Sequence, residues 1–266
     1  MQIDNYAISL FKDCPRKFQY RTIDNLEPKT ANLPALFGIA IHSGLDQLYK
    51  DEDISIAFEA FGDAWKPYEG MDYRKLYTME RGFNILREYE LHYLGDGETL
   101  YVETGFAVPI PGCEHILTGR IDRVKKVQER VKVQDHKTRS RALDSYCLNP
   151  NFQLLGYSFG VMNLMGLDYY PAVEANLIKV AKKFDPADFV LRMDKTPMEN
   201  EMDEYFNTLR YYLQEIEDCS SGSNFPMKGS EFSCNWCEYR PLCEAPHMKE
   251  RFVEEGVFVE SMWKPY

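Results

Sequence analysis

The chain has 266 residues, of which 44% are hydrophobic and 27% charged, with a formal net charge of −11; this is a soluble globular mix, enough for one large domain or two small ones. It excludes collagen-like, disordered and membrane-embedded classes, and no apolar run approaches the roughly eighteen residues of a spanning helix. The amino-terminal MQIDNYAISLFKDC lacks a basic stretch leading an apolar core, so no secretory signal is expected, and seven cysteines, an odd number, read as reduced thiols of a cytoplasmic protein.

Apolar residues at three- and four-residue spacing predict helices over 7–20, 36–50, 53–66 and 73–94. Gly95, Asp96 and Gly97 then break the pattern. From 101 the period falls to two, and VETGFAVPI, HILTGRIDRV and ERVKVQDHKT read as three strands of an antiparallel meander. FQLLGYSFGVMNLMG reads as a helix ending near Gly166, AVEANLIKVAK as a further strand, and MENEMDEYFNTLRYYLQEIEDC as a long amphipathic helix. The linker SSGSNFP leads to a cysteine cluster, and the tail from 248 gives no clear signal. The expected architecture is a single α/β domain over 1–266. It has a mostly helical part over 1–100, a core over 101–183 and a C-terminal helix with the cysteines over 184–266.

The net charge hides an asymmetry. Residues 185–218 carry ten acids and three bases, whereas 120–141 carry nine bases and three acids. The acidic total argues against a nucleic-acid partner, but a phosphate backbone responds to local potential. The basic stretch therefore permits nucleic acid without requiring it, and a solvated amphiphilic hairpin explains it as well.

Asp122 and Asp135 fall on the second and third strands, thirteen residues apart. Opposed residues of an antiparallel hairpin have a constant sum, and a turn centred between Gln128 and Glu129 sets these aspartates side by side. Like charges there repel, unless a divalent cation turns the repulsion into coordination. Lys137, two residues beyond Asp135, shares its face. Two carboxylates and an ammonium together suit metal-assisted hydrolysis, although three charges on a solvated face are the plainer explanation.

Cys234, Cys237 and Cys243 form C-x2-C-x5-C. Thiolates select zinc or iron–sulfur clusters, and a four-iron cluster needs four of them. Cys243-x3-His247 would instead complete a local Cys3His zinc set.

Together these residues resemble the PD-(D/E)XK nuclease superfamily, in the branch of the RecB nuclease domain and the CRISPR-associated RecB-like exonucleases. The segments that carry the resemblance are, in order, ISLFKDCPRKFQYR, FGIAIHSGLDQLY with His42, LTGRIDRV with Asp122, VQDHKT with Asp135 and Lys137, NFQLLGY with Gln153 and Tyr157, and FSCNWCEYRPLC. The resemblance implies a restriction-endonuclease-like core, a mixed central sheet with an antiparallel meander flanked by helices. It further implies that His42, Asp122, Asp135 and the backbone carbonyl of His136 hold a catalytic Mg2+ or Mn2+. Lys137 would position or activate the attacking water, with Gln153 and Tyr157 facing the same site, and Cys14 would join Cys234, Cys237 and Cys243 around a 4Fe-4S cluster. Glu103 falls where relatives often carry an acid, as a group supporting the ligands. On strand alternation the His136 ring points away from Asp135 and takes no part in catalysis. Taken singly, His42 reads as a packed histidine, and Gln153 with Tyr157 as a half-buried helix face.

The expected function is a metal-dependent DNA exonuclease acting on single-stranded DNA or DNA ends in recombination, repair or CRISPR adaptation, with proteins of those pathways as possible partners. A catalytically silent RecB-like module that binds DNA ends, and a zinc-stapled interaction protein, are the alternatives.

Overall fold

The computed structural model describes residues 1–29, 32–72, 75–140, 147–148 and 151–261. In chain order the elements are β1 (Gln2–Asp4), α1 (Asn5–Asp13), α2 (Pro15–Phe18), a π-helical turn (Gln19–Ile23), β2 (Leu26–Pro28), α3 (Leu33–Asp51), α4 (Ile54–Trp65), α5 (Met79–Tyr93), β3 (Glu98–Pro109), β4 (Ile116–Val127), β5 (Arg130–Arg139), α6 (Phe152–Met165), β6 (Ala172–Lys179), β7 (Val190–Lys195), α7 (Glu199–Ser221), α8 (Glu231–Asn235), α9 (Arg240–Glu244), α10 (Lys249–Glu254) and β8 (Phe258–Glu260). Among the described residues, no helix is long and apolar enough to cross a membrane. The chain divides into two compact units, one of Met1–Thr30, Ala107–Gly119 and Asn200–Tyr266, the other of Ala31–Phe106 and Arg120–Glu199.

The second unit holds a mixed sheet. β4 and β5 form an antiparallel hairpin paired from Arg123↔Gln134 to Val127↔Arg130. Gln128 and Glu129 are thus the two-residue turn, with Gln128 at φ 55°, and this is the register that sets Asp122 beside Asp135. β5 then pairs parallel with β6, and β6 antiparallel with β7. Sequence periodicity misses β7, because its residues are half-buried on both faces and show no alternation.

Helices flank this sheet. α3 starts at Asn32, whose side chain caps the Ala35 amide, and ends at Glu52 in the left-handed region. Its apolar residues Phe37, Ile41, Leu45 and Leu48 are fully buried with Phe61, Trp65, Ile85 and Leu86 of α4 and α5. Each such side chain contributes about 1.5–3 kcal/mol of burial. Two glycines set how closely helices approach strands. A Cβ on Gly38 would lie 2.9 Å from Thr138 Oγ1, and one on Gly160 would lie 2.7 Å from the Phe106 ring. They seat α3 on β5 and α6 on β3.

In the first unit β1 runs parallel to the start of β4, with Ile3 beside Leu117. The helix expected over 7–20 is interrupted. Cys14 is extended (φ −163°, ψ 117°) between α1 and α2, because Pro15 excludes its predecessor from helical geometry. The tail without a clear signal forms α10 and β8, and β8 pairs with β2. Tyr239 stacks between Tyr20 at 5.9 Å and Phe258 at 5.7 Å, and its hydroxyl donates to the Leu26 carbonyl at 2.9 Å.

One part of the charge pattern is corrected. Arg123 and Lys125, counted in the basic stretch, are 0% and 1% exposed and face no nucleic acid. Arg123 Nη1 donates to Asp96 Oδ1 at 2.6 Å, and Lys125 Nζ bridges Asp96 at 2.7 Å and Glu174 at 2.9 Å. Their partners lie 27 to 49 residues away, beyond the reach of a local charge count.

Candidate active site

Asp135 and Lys137 share one face of β5, and Lys137 Nζ donates to Asp135 Oδ1 at 2.9 Å. Asp135 is 1% exposed, and among the described residues its buried Oδ2 has no hydrogen-bond partner. Burial pushes its carboxyl above the usual range, against the pull of Lys137. About a third of the Lys137 side chain is exposed (34%). Burial opposes its charge, but the Asp135 and Asp122 carboxylates outweigh that and hold the ammonium above the ordinary lysine range.

Asp122 Oδ2 accepts the His136 backbone N–H at 2.7 Å, and Asp122 Oδ1 lies 3.5 Å from His42 Nδ1. His42 Nε2 lies 3.0 Å from the His136 carbonyl oxygen. The backbone of one residue, His136, therefore touches both side chains, through its amide and its carbonyl. Burial disfavours the His42 cation, yet Asp122 raises it to about 9. In return His42 outweighs the burial of Asp122 and holds that carboxyl below the usual range.

The His136 ring points to the opposite face. It stacks on Tyr49 at 5.8 Å, and its Nδ1 lies 2.7 Å from Asn176 Nδ2. Burial drives its pKa down to about 3.

Gln153 and Tyr157, one turn apart on α6, hydrogen-bond each other, Nε2 donating to the hydroxyl at 2.7 Å. The Tyr157 hydroxyl is pushed up by burial and by the Asp135 charge, which places it on the carboxylate side of β5.

Sequence reasoning undervalues one acid, Glu103, and misses another, Asp46. Glu103 offers a carboxylate oxygen that lies, with one ligand atom each of His42 and Asp122, within 4.8 Å of the others. It sits on β3 at φ 47° and receives Arg120 Nε at 2.7 Å. Asp46, one turn beyond His42 on α3, is pushed up to about 7 by burial and by Glu103. The i+4 spacing from His42 is the signal that could have found it. His42, Asp46 and Glu103 line a cleft of about 600 Å3 that also takes in Arg120, Lys137 and Thr138. Crowded carboxylates, an imidazole and an orphaned buried carboxylate oxygen form a hard nitrogen and oxygen donor set that fits Mg2+ or Mn2+.

A family model described as the PD-(D/E)XK nuclease superfamily matches residues 6–244. The chain belongs to this superfamily. The mixed sheet with its flanking helices is the restriction-endonuclease-like PD-(D/E)XK core expected from the motifs. A solved structure from Eubacterium rectale, described as a "Putative exonuclease", superposes with a TM-score of 0.54 at 12% identity, covering 88% of this chain and 86% of that one. At that identity the likeness speaks to the fold. A second structure, SSO0001, gives a TM-score of 0.40 at 12% identity over 92% of this chain and 86% of its own, too low to carry an argument. No curated protein matches the chain. Asp122 lies on β4, and Asp135 and Lys137 on β5.

The four motif cysteines lie in the first unit. Cys14 is in the break before Pro15, Cys234 in α8, Cys237 after it and Cys243 in α9. Burial raises the Cys243 thiol, and the charges of Cys14 and Cys234 add to this. Burial likewise raises Cys237, with Cys243 contributing. The four are neighbours, but among the described residues no three thiols offer sulfur atoms within 4.8 Å of one another. His247 is exposed.

Proposed function

We propose that this PD-(D/E)XK chain is a divalent-metal-dependent deoxyribonuclease that degrades single-stranded DNA or DNA from its ends, in cytoplasmic recombination, repair or CRISPR adaptation. The observation that carries the reading is the backbone of His136, whose amide meets Asp122 and whose carbonyl meets His42, next to the Asp135–Lys137 pair. His42, Asp122, Asp135 and the His136 carbonyl are the proposed ligands of Mg2+ or Mn2+, with Glu103 in reach. When bound, the cation supplies charge neutralisation for a phosphodiester and a lowered pKa for adjacent water.

The chain's own residues do the rest. Lys137 positions the attacking water or donates a hydrogen bond to the developing phosphoryl charge. Asp135 orients that ammonium, and the His136 amide fixes Oδ2 of Asp122 while Oδ1 stays beside the His42 ring. Gln153 and Tyr157 supply donors from α6. The full set speaks against a catalytically silent module. Asp135→Ala in a folded chain tests the reading: it should remove cleavage of end-labelled DNA, and retained cleavage would refute the assignment.

The four cysteines are proposed to hold a 4Fe-4S cluster. In a mononuclear zinc site, with Zn–S near 2.3 Å, sulfurs lie about 4 Å apart. A cluster instead gives each thiolate its own iron and a wider spacing. The nearness of Cys14 and Cys234 to Cys243, and of Cys243 to Cys237, supports a site shared by all four rather than a local Cys3His set.

A further inference from the structure

We infer that His136 is a positioning residue of this site, its Nδ1 fixed as a hydrogen-bond acceptor by Asn176 so that its backbone holds His42 and Asp122 in place. The inference rests on the proposed function and deepens it.

Hydrogen-bond chemistry fixes every orientation. Arg192 Nε can only donate, and it lies 3.0 Å from Asn176 Oδ1, so that atom is the amide oxygen. Asn176 Nδ2 therefore faces the Tyr89 hydroxyl at 2.9 Å and His136 Nδ1 at 2.7 Å. Both amide hydrogens are used, and Nδ1 has to accept. Tyr89 also receives Arg192 Nη2 at 3.1 Å, so its own hydrogen goes to Tyr49 at 2.6 Å. Tyr49 in turn donates to Gln134 Oε1 at 3.2 Å. The chain runs one way through side chains that are nearly all buried: Asn176, Tyr89 and Gln134 are 0% exposed and His136 2%. Reversing a single link leaves two donors facing each other away from water, which is costly at low dielectric.

His136 and Asn176 are also register partners on β5 and β6, so the side-chain bond locks the ring to the neighbouring strand. The ring lies on the opposite face from Asp135 and Lys137 and cannot meet substrate with them. Its route to the chemistry is the backbone: the amide 2.7 Å from Asp122 Oδ2 and the carbonyl 3.0 Å from His42 Nε2. A ring that merely fills the space between Tyr49 and Tyr89 would need its shape but not its Nδ1.

Two variants separate these roles. His136→Phe keeps the ring and loses the acceptor. His136→Asn loses the ring and places an amide oxygen near the Nδ1 position. Mn2+ binding is measured on the folded full chain by the loss of the free-ion resonance signal, alongside DNA cleavage over a Mn2+ titration. His136→Phe should raise the half-saturating Mn2+ concentration about 10-fold or more, the usual cost of losing a partner that orients a ligand, with cleavage at saturating metal largely restored. His136→Asn should bind within about 3-fold of wild type. The reverse order, or an Asn variant that does not fold, overturns the inference; if the Phe variant does not fold, the Asn variant decides alone. A wild-type chain that binds no Mn2+ removes the proposed function and this inference with it. A wild type that binds Mn2+, with both variants unchanged, removes the inference alone.

Discussion

Lys137 Nζ lies 2.9 Å from Asp135 Oδ1, two residues away on the same strand face, and this pair ties a protonated donor to a buried carboxylate. Replacing Lys137 with Met keeps the stem and removes the ammonium. Cleavage should fall by about 100-fold or more, the scale for losing a donor to developing charge. Mn2+ binding should persist, because Lys137 is not a ligand. Cleavage within a few-fold of wild type would show that the ammonium has no part in the reaction.

The aspartate at the centre of the buried charge cluster predicts an acid-stability window. Asp96 is penalised by burial, but Lys125, Arg123 and Arg192 outweigh this and lower its pKa from 3.8 to about 2; its side chain is 16% exposed. A carboxyl depressed on folding stabilises the protein above its unfolded pKa, and the gain is lost as pH falls through the folded value. Here about 2 kcal/mol should disappear between about pH 4 and pH 2. Urea midpoints of wild type and Asp96→Asn over that range check it. The variant should be weaker at neutral pH and flatter in the window, and parallel curves would contradict the assignment.

Gly160 makes a packing prediction. A Cβ there would lie 2.7 Å from Cδ2 and Cγ of the Phe106 ring and 2.8 Å from its Cδ1. Gly160→Ala should cost about 1–3 kcal/mol by overpacking and displace α6. The fall in melting temperature should come with a fall in cleavage, since α6 carries Gln153 and Tyr157. An unchanged melting temperature would show that α6 shifts freely.

The cysteines make a prediction in colour. Anaerobically purified protein should be yellow-brown with iron and inorganic sulfide, and Cys14→Ala should bleach it as fully as Cys237→Ala. Stoichiometric zinc in a colourless protein that tolerates Cys14→Ala would decide for the zinc site. The Tyr20–Tyr239–Phe258 stack and the β2–β8 pairing join the same segments without sulfur, so bleaching should weaken the fold rather than abolish it.

Much of this was legible from residue spacing. The β4–β5 register followed from the positions of Asp122 and Asp135, because an antiparallel hairpin leaves one free choice, its turn. α6 and α7 were legible from periodicity alone. β1, β2 and β8 were not, since three-residue strands are set by their partners and carry no period of their own. Arg123 and Lys125 misled because a buried charge looks like an exposed one until Asp96 and Glu174 are placed beside it. Glu103 was undervalued for the same reason: its closeness to His42 and Asp122 comes from the fold and not from sequence spacing.

The central claim is that hydrolysis belongs to the hard donor set around His42, Asp122 and Asp135, apart from the cysteines, which lie in the other unit. The most direct measurement follows cleavage of end-labelled DNA and visible absorbance together through brief chelation and return of Mg2+ or Mn2+. Cleavage should stop on chelation while the cluster's absorbance persists, and resume when the divalent ion is restored. Cleavage that tracks the absorbance and ignores added Mg2+ and Mn2+ would contradict the account.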